Sequence, residues 1–82
     1  MNNRDEILAT IKTIMLKMFE IEEDQVTLGA RLYEDLDFDS IDAVDMVVRL
    51  KEITGKELKP NDFKAARTVG DVVEAIFKLM NA

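Results

Sequence analysis

A chain of 82 residues closes one modest hydrophobic core and has no material for a second, so a single domain spanning 1–82 is expected. The composition is 48% hydrophobic and 34% charged, with three glycines and one proline, which favours long helices over sheet; the lack of cysteine excludes disulfides and thiolate metal sites. A net charge of −6 argues against nucleic acid and against an anionic membrane surface, both of which reward Lys and Arg, and leaves basic proteins as the better partners.

Asn3 followed by Glu6 reads as a capped helix start. Beyond it Ile7, Leu8, Ile11, Ile14, Met15, Met18 and Phe19 recur at helical spacing and predict a first helix over about 4–19. The stretch EIEEDQVTLGARLYEDLDFD has no sustained period, with Val26, Leu28, Leu32, Leu36 and Phe38 scattered through it, and predicts a long loop pinned by its regularly spaced leucines. A second helix starts at Asp39 or Ser40 and runs to about Thr54, where Gly55 offers a left-handed stop. Pro60 suits the first turn of a short helix carrying Phe63, Ala65 and Ala66. Thr68 with Asp71 resembles a capping box opening a last helix, with Val72, Val73, Ile76, Phe77, Leu79 and Met80 in or near the core. The predicted fold class is all-α: a four-helix bundle of three longer helices and one short one, with a long first loop.

The second helix carries two apolar stripes. At 100° per residue, Ala43, Met46, Val47, Leu50 and Ile53 form a core face, while Ile41, Val44 and Val48 lie roughly opposite, flanked by Asp45 and Glu52. Two readings stand open: a central helix burying both stripes, or a docking face in which aliphatics ringed by Asp meet a partner with a Lys or Arg rim. Arg49, four residues after Asp45, is spaced to pair with it.

Charge points to the same region. Residues 1–40 hold ten acids against four bases, and residues 41–82 balance seven against seven, so the negative field centres on the approach to Ser40, the only serine. With no histidine or cysteine, and no lysine close in sequence, Ser40 cannot belong to a Ser-His-Asp or similar site of the chain's own. Asp35, Asp37 and Asp39 match positions 1, 3 and 5 of an EF-hand loop, but Ser40 replaces the required Gly and Met46 the required Glu, so no dedicated calcium site is expected. If Asp39 caps the helix, Ser40 falls in its first turn with an exposed hydroxyl, where free backbone N–H groups and the helix dipole favour an attached phosphate; the plainer alternative is that Ser40 is itself only a cap.

DSID at 39–42, preceded by LYEDLDF and followed by AVDMVVRLKE, together with TVGDVVEAI at 68–76, resembles the acyl carrier proteins, and the resemblance covers nearly the whole chain. It implies that Ser40 receives 4′-phosphopantetheine from coenzyme A through a phosphodiester, installed by a separate magnesium-dependent phosphopantetheinyl transferase. The chain is then that enzyme's substrate and not itself an enzyme. The transferase supplies the base and the arm supplies the thiol, which explains a serine without a base in a chain without cysteine. Acyl cargo rides as a thioester to enzymes of fatty-acid, polyketide-like or specialised lipid synthesis. The resemblance also implies that basic docking patches on those enzymes meet Asp39, Ile41, Asp42, Val44, Asp45 and Val48.

Several further expectations follow from the resemblance. Carriers of this kind often shelter the acyl chain between their helices, and Met15, Met18, Met46 and Met80 would give a soft interior. Asp37 stands where the family frequently has glycine, Ile41 replaces the usual leucine, and Arg49, Lys51, Lys56 and Lys59 make the second half more basic, as in carriers of dedicated pathways. The glycine-glycine lead-in of peptidyl carriers is missing. The N-terminus MNNRDEILAT lacks the pattern of a signal peptide, and the apolar runs are too short to span a bilayer, so a cytoplasmic monomer without stable membrane insertion is expected. The competing class is an unmodified helical adaptor that docks through its second helix.

Overall fold

The computed structural model describes residues 3–81, so the ends of the predicted 1–82 unit lie outside the described residues. Among these residues four helices follow one another: α1 (Arg4–Phe19), α2 (Ser40–Thr54), α3 (Pro60–Ala65) and α4 (Val69–Met80), with a 3₁₀ turn at Glu23–Gln25 in the long loop. Among the described residues the only β-type pairing is an isolated antiparallel bridge between Arg31 and Thr68.

Local chemistry sets the helix ends. Asn3 Oδ1 accepts the Glu6 N–H at 2.9 Å and starts α1, which stops where Glu20 turns left-handed at φ 57°. Gly55, at φ 71°, ends α2 with its N–H on the Lys51 carbonyl. Pro60 occupies the first position of α3, where its missing N–H is no loss. Thr68 and Asp71 form the predicted capping box on α4. The Arg67 and Thr68 N–H groups, at 3.0 and 3.2 Å, hold the Asp71 carboxyl below the usual carboxylate range.

Apolar residues from every helix and from the loop meet in one core, and no polar or charged side chain is buried in it among the described residues. α1 packs chiefly on α4 and α2 on α3. The apolar periodicity assigns most of this core correctly. Two residues of these stripes depart from it, and so does one expected pin of the loop, Leu28. Met18 and Ile53, read as core, are 41% and 40% exposed, because they sit at the edges of their stripes, where α1 and α2 part from each other. Ala65 is exposed at the end of α3, and Leu28 is exposed because its main chain, not its side chain, anchors the loop.

That anchoring is a set of backbone hydrogen bonds to the start of α4. Leu32 N–H donates to the Arg67 carbonyl, Val69 N–H to that of Ala30, and Gly70 N–H to that of Leu28, each at 2.9 Å. Val26, Leu32, Leu36 and Phe38 are buried beneath them. A Cβ at Gly70 would stand 3.0 Å from the Leu28 carbonyl oxygen, so the loop approaches α4 as closely as it does only over a glycine. Gly70→Ala is therefore expected to lower stability by about 1 kcal/mol, the value of one hydrogen bond, instead of giving the gain usual for Ala in a helix. In a domain of this size about 1 kcal/mol lowers Tm by roughly 4–8 °C. A rise in Tm would show that the loop yields without loss.

Candidate functional site

Ser40 is the first residue of α2 and is exposed. Asp39 precedes it as the N-cap: its Oδ1 accepts the Asp42 N–H at 2.9 Å, while Asp42 Oδ2 accepts the Asp39 N–H at 3.1 Å. This reciprocal box was not foreseen in the sequence, because both its members are Asp, where Ser or Thr opens the usual box and Glu or Gln closes it. It relieves Ser40 of the capping role, and the plain-cap alternative falls. The Ser40 hydroxyl makes no hydrogen bond among the described residues, and the N–H groups of Ser40 and Ile41, in the first turn, have no helical carbonyl to meet. An exposed hydroxyl, two unsatisfied donors and the positive end of a helix dipole thus converge at one point.

The chain enters this point under tight control. Phe38 is buried two residues before Ser40, its ring 4.9 Å from that of Phe19 on α1 and 6.4 Å from that of Phe63 on α3. Its N–H donates to the Leu32 carbonyl at 3.0 Å. Asp37 takes a left-handed conformation, φ 56°, the geometry for which the family's glycine is suited and which Asp tolerates better than most residues. Upstream, the Arg31 guanidinium holds Glu34 and Asp35, and with the Arg31 N–H it keeps the Asp35 carboxyl below its ordinary range. Two of the acids that crowd the approach to Ser40 are in this way matched by a cation.

The second stripe of α2 lies at the surface. Ile41 is 72% exposed, Val44 42% and Val48 53%, which excludes the reading that both stripes are buried. Val44 stands one turn above Ser40 on nearly the same side of the helix, and Asp39 and Asp45 are exposed while Asp42 is half-buried. Asp39, Ser40, Ile41, Val44, Asp45 and Val48 therefore fall on one end and one exposed side of α2, whereas Asp42, also predicted for the site, turns half-buried toward the loop. The expected Asp45–Arg49 pair does not form. Arg49 donates instead to Glu52 at 3.0 Å, which leaves Asp45 on the exposed face without an ion pair among the described residues. A polar cleft of about 400 Å³ opens on the other side, between the loop and the end of α1; Asp42 lines it and Ser40 does not.

Residues 9–76 match the family described as "Phosphopantetheine attachment site". The chain is 49% identical over 77 residues to "Acyl carrier protein 2" of Ralstonia nicotianae, covering 94% of this chain and 95% of that one. It is 37% identical over 78 residues to "Acyl carrier protein" of Thermotoga maritima, covering 95% and 96%. Among solved structures, the acyl carrier protein from Enterococcus faecalis, studied for its thermal stability, superposes with a TM-score of 0.76 at 34% identity, covering 94% of this chain and 98% of that one.

Proposed function

This chain belongs to the acyl carrier protein family, non-catalytic carriers that hold acyl groups on phosphopantetheine, and from that premise we propose that Ser40 is the residue that bears the arm and that the whole chain acts as one carrier domain. Family membership sets the unmodified adaptor aside. The observation that carries the assignment is the free Ser40 hydroxyl beside two unsatisfied N–H groups at the start of α2. These residues fit the group: Ser40 Oγ would supply the oxygen for the phosphodiester, and the Ser40 and Ile41 N–H groups, without helical acceptors, are donors suited to a phosphate. Loading from coenzyme A would join Ser40 Oγ to the phosphorus of the arm with release of adenosine 3′,5′-bisphosphate, and the serine proton would go to the transferase, since this chain places no histidine or lysine beside Ser40. The thiol at the end of the bound arm supplies the thioester chemistry.

Acyl carrier proteins work with a phosphopantetheinyl transferase and with acyl-chain synthesis enzymes. We infer that Asp39, Ile41, Asp42, Val44, Asp45 and Val48 form the face that meets them, with a basic patch on each partner. The carboxylates speed encounter and the three aliphatics lengthen the complex. Val48→Asp is expected to reduce kcat/KM of an acyl-transferring partner by about tenfold or more, the size of an interface hot spot. Because Val48 is exposed, the melting temperature should stay unchanged. Equal kcat/KM for the variant and the parent would remove α2 from the interface. No helix among the described residues is long and apolar enough to cross a membrane, and action in the cytoplasm is part of this proposal.

The test is intact mass after incubation with coenzyme A, magnesium and a broad-specificity transferase, followed by fragmentation to locate the modified residue. One phosphopantetheine on Ser40 is the expected result. A folded protein that gains nothing from several transferases would overturn the assignment.

A further inference from the structure

Helices α1 and α2 leave an open groove between them of about 440 Å³, floored by Ile14, Met18 and Ile53 and flanked by Lys17 and Arg49. That volume falls in the range of roughly 300–1,000 Å³ usual for small-molecule sites. Met18 and Ile53 belong to the core-facing stripes of their helices, yet each keeps about 40% of its surface exposed. Thr10 and Thr13 complete the lining, and their hydroxyls donate to the Glu6 and Ala9 carbonyls at 3.0 and 3.1 Å, so neither needs a partner in the groove.

The charge of the groove is opposite to that of the molecule. In a chain of net charge −6, the charged groups lining it are two cations and no carboxylate. Lys17 makes no ion pair among the described residues, and Arg49 gives one N–H to Glu52 and keeps the rest of its fork available. A guanidinium with an ammonium beside it suits a carboxylate, and a methionine beside two isoleucines suits a flexible alkyl chain. Ile53 lies thirteen residues beyond Ser40, about 20 Å along the helix axis, so the groove is distinct from the site at the start of α2.

We propose that the α1–α2 groove binds a free alkyl carboxylate, its chain on Ile14, Met18 and Ile53 and its head between Lys17 and Arg49. The site requires no modification of Ser40, so its failure and the failure of the carrier assignment are separate results.

The experiment titrates dodecanoate, below its micelle concentration, into the ¹⁵N-labelled unloaded protein. Saturable shifts confined to the amides around residues 10–18 and 49–53 are expected. The Lys17→Glu/Arg49→Glu double variant, whose two positions are both on the surface, should bind about tenfold more weakly or worse, and dodecyltrimethylammonium should behave likewise against the parent. Ile53→Ser is a second variant expected to lose affinity through the chain contact. Shifts centred elsewhere would overturn the proposal, as would equal binding of the cationic amphiphile. Concentration-dependent shifts of the groove without ligand would assign it to a second copy of the chain. A decanoyl thioester on the arm that perturbs the groove when free dodecanoate does not would assign it to tethered cargo, and either finding would overturn a carboxylate site.

Discussion

Ser40→Ala is expected to take up no phosphopantetheine under conditions that load the parent completely, and its unfolding free energy should stay within about 0.5 kcal/mol of the parent's. The loss is total because the chain has no second serine, and a threonine elsewhere lacks the position at the start of α2. The stability is retained because the hydroxyl makes no hydrogen bond among the described residues and alanine is a good helix former. Asp39→Ala separates the two effects from the other side: it removes the acceptor of the Asp42 N–H and should cost about 1 kcal/mol of stability. The pair of variants is read by intact mass and urea unfolding. A mass gain that persisted in Ser40→Ala would place the arm elsewhere and end the assignment.

Phe63→Ala should be the most damaging core substitution for the site, destabilising by about 3–5 kcal/mol through lost burial and the cavity left behind. A domain of 82 residues has a total stability of roughly 4–12 kcal/mol, so the loss would take a large share of it. The location makes it worse than an average phenylalanine. α3 has six residues, too few to hold a helix by its own hydrogen bonds, and Phe63 is its fully buried side chain. The same ring stacks on Phe38, two residues before Ser40. Phe63→Leu keeps most of the volume and should lose much less. Chemical unfolding of both variants is the measurement, and a loss below about 1 kcal/mol for Phe63→Ala would show that α3 contributes little to the core.

Most of this architecture was legible because helices advertise themselves. Apolar spacing placed α1, α2 and α4, and Gly55, Pro60 and the Thr68–Asp71 pair marked their ends. Ser40 stood out by elimination and by charge, and the exposed stripe of Ile41, Val44 and Val48 was one of two open readings until the surface decided it. What escaped depends on contacts distant in sequence. Periodicity cannot say how far α1 and α2 part, so Met18 and Ile53 read as core. A box closed by two aspartates is rare enough that Asp42 read only as surface charge. The backbone ties between the loop and α4 leave no mark in side-chain pattern beyond the glycine at position 70.

Those ties have a consequence for motion. Leu32, Val69 and Gly70 donate across a sequence separation of more than thirty residues, from segments that have no sheet to share. Their amides are therefore reporters of whether the loop opens by itself or only with the whole bundle, since hydrogen exchange at each is blocked while its bond is closed. If they exchange at the rate set by global unfolding, the segment leading to Ser40 is one cooperative unit with α4, and the arm swings from a fixed base. If they exchange far sooner, the base itself opens and closes, and the reach of the arm varies with it.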